Sequence, residues 1–176
     1  MLKSSNTVKK RVQEMKARLL KDSKDNCPKN VRLMGLDLGG KTIGVAVSDA
    51  GQSIATPIKT IQRSKFSKDI KALKEIIQEF EISGYILGFP LNMDGSEGAR
   101  CDATRSFANE IGQHPDIFGV NPYVAFWDER LSTRTVDEFL DNRGDINKSS
   151  KRGSKESGLV DKLAAQIILQ GALDAL

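Results

Sequence analysis

The sequence has few of the residues and segments that extracellular, membrane or zinc-bound proteins depend on. It contains two cysteines, Cys27 and Cys101, outside any CxxC motif, and a single histidine, His114, so neither a disulfide framework nor a thiolate zinc site is predicted. No apolar run approaches the roughly 20 residues that a bilayer-spanning helix needs, and the N-terminus lacks the apolar centre of a secretory signal. We therefore expect a soluble, cytoplasmic protein without a membrane partner.

Positive charge is concentrated at the N-terminus. Residues 1–30 contain nine lysine and arginine residues against three acidic ones, whereas residues 31–176 contain eighteen against twenty. Apolar residues recur at helical spacing over residues 8–20, which predicts an amphipathic helix, and the polar segment 21–30 is expected to be a linker. We divide the chain into this basic N-terminal extension and one folded domain, and expect that deleting residues 1–24 weakens binding at low salt but preserves chemistry.

Three apolar segments at the start of the domain predict neighbouring strands. They cover residues 31–40, 41–49 and 53–60 and are separated by short turns, so the strands should be antiparallel. Pro57 lies in the third segment and favours an edge position, because proline cannot donate a ladder hydrogen bond.

The rest of the domain alternates between helices and strands. The predicted elements are a helix over about 68–80 capped by Ser67, a strand over 83–90, a helix over about 97–112, a strand over 122–129, a helix after Ser132, a basic loop over 141–158 and an apolar C-terminal helix. Two strand and helix units after three antiparallel strands predict an α/β fold with a mixed five-stranded sheet, three antiparallel strands followed by two parallel ones, flanked by helices.

Three acidic residues lie where burial is expected. Asp37 interrupts the first strand, Glu129 ends the last one, and Asp161 opens the C-terminal helix. Two carboxylates about 5 Å apart repel by on the order of 3 kcal/mol at an effective dielectric of 20. Mg²⁺ or Mn²⁺ would offset this repulsion, and two such ions about 4 Å apart can catalyse phosphodiester hydrolysis without a protein nucleophile.

Each acid also has a purely structural explanation. Asp37 can be a turn former, Glu129 can pair with Arg130, and Asp161 can favour a helix N-terminus. These explanations remain open from the residues alone.

Other polar residues are candidates for contacts with nucleic acid. The loop GFPLNMDG follows a buried strand, at the sheet edge where α/β folds place ligands, and several basic residues precede Asp161. The alternative is an ordinary loop with solvated charges. The candidate residues are Lys41, Asn92, Arg130, Lys148, Lys151, Arg152 and Lys155.

Four segments together resemble one known family. They are GLDLGGKTIGVAVSD (35–49), GFPLNMDG (88–95), DERLST (128–133) and VDKLAAQIIL (160–169), and they closely resemble the YqgF/RuvX family over residues 31–176. The resemblance implies the ribonuclease-H-like fold of Holliday junction resolvases. It also implies a nuclease that processes the 5′ end of pre-16S rRNA in ribosome biogenesis or, alternatively, resolves Holliday junctions in DNA recombination and repair.

The resemblance assigns the same three acids to catalysis. Asp37 matches the first-strand aspartate, Glu129 the glutamate of the DER segment, and Asp161 the aspartate of the C-terminal helix. Related RuvC-type resolvases have a further acidic or histidine ligand one turn on, where this chain has Ala164, so we expect two Mg²⁺ or Mn²⁺ ions to bind together only with substrate. The implied partners are pre-rRNA or branched DNA and ribosomal particles, and the chain is expected to be a monomer or a homodimer.

Two rival interpretations use the same segments. Residues 35–49 also look like the phosphate-binding hairpin of actin-like ATPases and sugar kinases, but residues 31–176 leave room for only one of the two domains that clamp a nucleotide. The stronger rival is a non-catalytic nucleic-acid-binding module in ribosome assembly or transcription. The presence of all three acids favours the nuclease.

Overall fold

The structure is a computed structural model that describes residues 17–131 and 154–176, apart from the side chains of residues 154–157. The strands are β1 (Arg18–Leu19), β2 (Arg32–Leu38), β3 (Thr42–Ser48), β4 (Ala55–Gln62), β5 (Ile82–Phe89) and β6 (Tyr123–Asp128). The α-helices are α1 (Phe66–Phe80), α2 (Ala99–Gln113), α3 (Pro115–Phe118) and α4 (Ser154–Asp174). Short 3₁₀ turns cover Leu20–Asp22, Lys24–Asn26 and Glu129–Leu131.

The strands form one mixed sheet in the order β1-β6-β5-β2-β3-β4. β2, β3 and β4 are antiparallel, whereas β5 pairs in parallel with both β2 and β6. The α/β, ribonuclease-H-like class is confirmed, and so is the edge position of β4, where Pro57 pairs with Ala46 next to a register shift. The predicted count of five strands is too low, because β1 adds a sixth strand in parallel to β6.

The N-terminal segment differs from its prediction. Residues 18–22 form β1 and a 3₁₀ turn, so the helix predicted over residues 8–20 is wrong at its end, and its beginning lies outside the described residues. Leu20 and Cys27 are buried, and the Tyr123 hydroxyl donates to the Ser23 carbonyl at 3.3 Å. The last part of the predicted extension and linker therefore packs against the edge of the sheet. The division at residue 30 stays a prediction.

One face of the sheet is covered by α1, α2 and α3. α1 buries Ile70, Leu73 and Ile77 at helical spacing, as its apolar periodicity predicts. The predicted cap is wrong, because α1 already begins at Phe66 and Ser67 lies within it. Instead, buried Asp69 accepts a hydrogen bond from the Ser64 backbone N–H at 3.0 Å and ties the incoming chain to the helix.

The opposite face of the sheet is covered by α4. This helix begins at Ser154, so the predicted loop over 141–158 is wrong at its last five residues, while the rest of that loop and the helix predicted after Ser132 lie outside the described residues. Asp161 consequently lies in the third turn of α4 rather than at its start. Neither α4 nor any other helix in the described ranges is long and apolar enough to cross a membrane.

Candidate active site

Two glycines flank Asp37 within the sheet. Asp37 pairs with Gly44 of β3, and Gly88 of β5 lies one residue beyond the last parallel pair, Leu36 with Leu87. A Cβ atom on Gly44 would collide with the backbone carbonyl of Asp161, and one on Gly88 would lie 2.6 Å from Oε1 of Glu129. The missing side chains thus provide the space in which Asp161 and Glu129 approach Asp37.

Asp37 is electrostatically coupled to the acid on α4. Burial raises the pKa of Asp37, and the charge of Asp161 raises it further. Oδ2 of Asp161 is buried and has no hydrogen-bond partner among the described residues. Because Asp161 lies inside the helix, the alternative explanation as a favourable charge at a helix N-terminus does not apply.

Glu129 follows β6 at the start of a 3₁₀ turn. Burial raises its pKa to about 7, with a further contribution from the charge of Asp37. The alternative that Glu129 pairs with Arg130 is wrong, because the Arg130 guanidinium binds Asp128 with Nη2 at 2.6 Å from Oδ2 and Nε at 3.0 Å from Oδ1. Glu129 is therefore not neutralised by its neighbour along the chain.

Hydrogen bonds from the edge strand hold α4 over the sheet. The Gln166 amide donates to the Ala55 carbonyl at 2.9 Å, and the Ala55 N–H donates to Oε1 of Gln170 at 2.9 Å. Near the beginning of the helix, the Thr60 hydroxyl donates to the Gly158 carbonyl. These contacts lie on both sides of Asp161 along the helix and fix its position.

A cleft of about 500 Å³ is lined by Glu129, the loop 90–93, the first turn of α2 and Arg130. The sequence did not single out Arg100, which lines this cleft and whose charge lowers the pKa of both Asp37 and Glu129. The sequence did contain a signal for Arg100, because the first turn of a helix normally favours acidic side chains and an arginine there is unusual.

The structure brings together part of the predicted nucleic-acid-binding set. Asn92 and Arg130 line the cleft, and Lys41 is exposed on the turn between β2 and β3. Lys155 lies in the first turn of α4, but its side chain is outside the described residues. The remaining candidates, Lys148, Lys151 and Arg152, also lie outside the described residues. The roles of all seven stay predictions.

The three acids do not form a complete metal site. Among the described side chains, no three histidine, cysteine, aspartate or glutamate residues are grouped so that they could hold a metal ion. The charge of Asp161 raises the pKa of Asp37, and the charge of Asp37 raises the pKa of Glu129. Asp37 therefore interacts electrostatically with both other acids. The donor chemistry fits a hard divalent cation, because all the donors are carboxylate oxygens and one buried oxygen of Asp161 is unsatisfied.

The mixed sheet, with three antiparallel strands followed by two parallel ones, defines an α/β domain of the ribonuclease-H-like class. Residues 31–175 match the family model described as "RuvX: Holliday junction resolvase", and the chain belongs to this family of nucleases. This confirms the resemblance drawn from the sequence.

Named relatives cover most of the chain. A protein of Rhodospirillum centenum named "Putative pre-16S rRNA nuclease" is 46% identical over 162 residues, 92% of this chain and 83% of the relative. A protein of Methylocella silvestris with the same name is 48% identical over 145 residues, 82% of this chain and 83% of the relative. Among solved structures, Thermus thermophilus RuvC in complex with a Holliday junction substrate aligns with a TM-score of 0.49 and 19% identity, over 82% of this chain and 94% of that one.

Proposed function

We propose that this chain is a metal-dependent endonuclease that hydrolyses phosphodiester bonds in structured RNA, and that it processes the 5′ end of pre-16S rRNA. The observation that carries the proposal is the position of Asp37 between Gly44 and Gly88, where its carboxylate is coupled to those of Asp161 and Glu129. Burial and like charge both disfavour these anions, and bound cations would relieve that cost. The name of the relatives supports the choice of RNA.

Asp37, Asp161 and Glu129 are the residues that would hold Mg²⁺ or Mn²⁺. Bound in such a site, divalent ions supply an activated water and stabilise the leaving oxygen in phosphodiester hydrolysis. Asp37 interacts electrostatically with both other acids, so we expect metal binding to depend on it most strongly. Because the three acids alone do not form a complete group, we propose that water and substrate phosphate oxygens fill the remaining positions, as is usual for Mg²⁺.

A four-way DNA junction is the second candidate substrate. The observation that favours it is the match to a family model described as a Holliday junction resolvase. Both candidate substrates are branched or structured polynucleotides, and the same carboxylates would serve either reaction. The choice between RNA and junction DNA therefore depends on protein contacts other than those of Asp37, Glu129 and Asp161.

The proposal can be tested by incubating the full-length protein with labelled precursor 16S rRNA, a linear duplex and a four-way DNA junction, each with Mg²⁺, Mn²⁺ or EDTA. We expect metal-dependent cleavage of the precursor RNA by the wild type and by Asp116→Asn, a control at an exposed aspartate of α3. Asp37→Asn and Asp161→Asn should not cleave it.

Three outcomes would contradict parts of this proposal. Cleavage by Asp37→Asn would reject the proposed centre. Preferential cleavage of the junction would support the second candidate. Metal-independent binding of RNA, without cleavage of any substrate by the wild type, would favour a non-catalytic binding module.

A further inference from the structure

The cleft beside Glu129 has walls of two kinds. Arg100 and Arg130 supply positive charge, whereas Leu91 and Met93 supply apolar surface. Its volume of about 500 Å³ falls within the range of roughly 300–1,000 Å³ that is typical of sites for small organic ligands. A nucleotide combines an anionic phosphate with an apolar base face, so its chemistry matches both walls.

Among the described residues, Arg100 has no ion-pair partner, unlike Arg130, which also lines the cleft, and Arg105, which lies further along α2. Arg130 binds Asp128 at 2.6 Å, and Arg105 binds Glu97 through two hydrogen bonds. In the described part of the chain, Arg100 forms no ion pair, although its charge acts on Asp37 and Glu129. Its guanidinium donors are therefore available to a phosphate, whose oxygens match the planar fork of arginine.

Met93 presents an apolar side chain at the rim of this cleft. It is 88% exposed and lies in a turn closed by hydrogen bonds from the Gly95 N–H to the Asn92 carbonyl at 2.8 Å and from the Asn92 N–H to the Ser96 carbonyl at 2.9 Å. On the other side of the cleft, Leu131 follows Arg130 and is 60% exposed. An ordered turn thus holds a large apolar group in solvent beside positive charge, an arrangement suited to contact with an unstacked base.

We propose that this cleft is a nucleotide subsite, in which Arg100 binds the phosphate of a nucleotide flanking the scissile bond and Met93 packs against its base. The inference rests on the proposed nuclease function and adds a substrate class to it. The strand must be unpaired at the nucleotide next to the cleavage site, because a base stacked within a duplex does not present its face to Met93.

The first experiment measures RNA binding by fluorescence anisotropy, with the full-length protein in EDTA and at about 0.15 M salt to limit nonspecific attraction. The probes are an RNA with a single-stranded 5′ segment joined to a duplex, the fully paired duplex, and versions with one uncharged methylphosphonate linkage at each position of the unpaired segment. Arg100→Gln should bind the unmodified unpaired probe about 10-fold more weakly. Wild-type binding should be weakened by a methylphosphonate at one position, and Arg100→Gln should bind that probe and the unmodified probe equally. Arg100→Lys should retain part of the wild-type affinity and part of the sensitivity to that methylphosphonate.

Arg32→Gln is the matched control, because Arg32 begins β2 about 17 Å along the strand from Asp37. It removes the same charge and should leave both the affinity and the methylphosphonate pattern unchanged. Met93→Ala should weaken binding of the unpaired probe several-fold but leave binding of the fully paired duplex unchanged. An abasic nucleotide at the contacted position should weaken wild-type binding and not that of Met93→Ala.

The subsite would be rejected if Arg100→Gln bound as tightly as Arg32→Gln, or kept the wild-type methylphosphonate pattern. Equal losses by Met93→Ala on paired and unpaired probes would reject the base contact. Failure of the proposed nuclease function would be distinguishable from failure of the subsite. In that case the wild type would not cleave RNA, but the binding differences between the variants would persist. Arg100 and Met93 are both exposed, so thermal unfolding of the variants should match that of the wild type and exclude misfolding as the cause.

Discussion

Gly44 and Asp161 are in direct contact, with the backbone carbonyl of Asp161 occupying the space that a side chain on Gly44 would fill. Gly44 is also the strand partner of Asp37. The absence of a single Cβ atom therefore sets how closely α4 approaches the sheet at the acidic centre. The close approach places Asp161 near Asp37 although the two are far apart in the chain.

Replacing Gly44 with alanine should displace α4 locally. The added methyl group meets backbone atoms, which cannot rotate away, so we expect a loss of about 1–3 kcal/mol in the free energy of unfolding and a large loss of cleavage. Gly40→Ala is the matched control, since a Cβ there meets nothing within 4 Å. Denaturant unfolding and the precursor RNA assay measure both effects. Equal behaviour of the two variants would show that the close approach has no consequence.

Asp37→Asn should abolish cleavage without loss of stability. Burial and the charge of Asp161 both disfavour the Asp37 carboxylate, so a neutral amide of similar size should leave the melting temperature at pH 7.5 equal or higher. Asp69→Asn should have the opposite effect, because buried Asp69 accepts a hydrogen bond from Ser64 and lies 4.0 Å from the Arg63 guanidinium. Its loss should cost about 1 kcal/mol. A marked decrease in melting temperature for Asp37→Asn would indicate a structural aspartate instead.

Glu129 should make metal-free stability depend on pH. Its pKa is about 7 in the folded protein against an ordinary value of 4.5, so the folded state retains a proton that the unfolded chain has released between these values. The contribution of this group to stability therefore falls as pH rises through that window. Glu129→Gln cannot ionise, and in EDTA its melting temperature should match that of the wild type near pH 4.5 and exceed it at pH 8. A difference that stays constant over this range would contradict the raised pKa.

Leu20 should anchor the N-terminal segment to the sheet. Its side chain is 3% exposed and packs with the core beneath α4, so Leu20→Ala should lower the free energy of unfolding by about 2–4 kcal/mol. Val120→Ala, at a site that is 82% exposed, should change it by less than about 0.5 kcal/mol. Deletion of residues 1–24 removes Leu20 and should consequently destabilise the domain as well. Unfolding curves of the three variants test this, and an unchanged stability of Leu20→Ala would show that the segment is dispensable.

The sequence predicted most of the sheet because its signals are local. Apolar periodicity located β2 to β6, short turns made the first three of these antiparallel, and Pro57 placed β4 at the edge. Asp37 was found because a carboxylate within an apolar strand requires an explanation. The same reasoning failed for β1, because the apolar residues up to Leu20 recur at helical spacing. The burial of Leu20 depends instead on the edge of β6, which comes more than a hundred residues later.

The surroundings of the acids depended on packing that no local pattern encodes. Glu129 and Arg130 are neighbours in the chain, yet the geometry of the turn after β6 directs Arg130 to Asp128. Arg100 faces the acids only because the loop after β5 brings the first turn of α2 to the cleft.

By itself, the sequence determined which residues carry charge and which segments form strands or helices, since residue type and periodicity are properties of neighbours along the chain. Only the tertiary structure decided that Asp37 is the acid coupled to both others, and that Gly44 admits Asp161. The physical reason is that close packing sets distances between residues far apart in the chain, and a single methyl group is enough to change them.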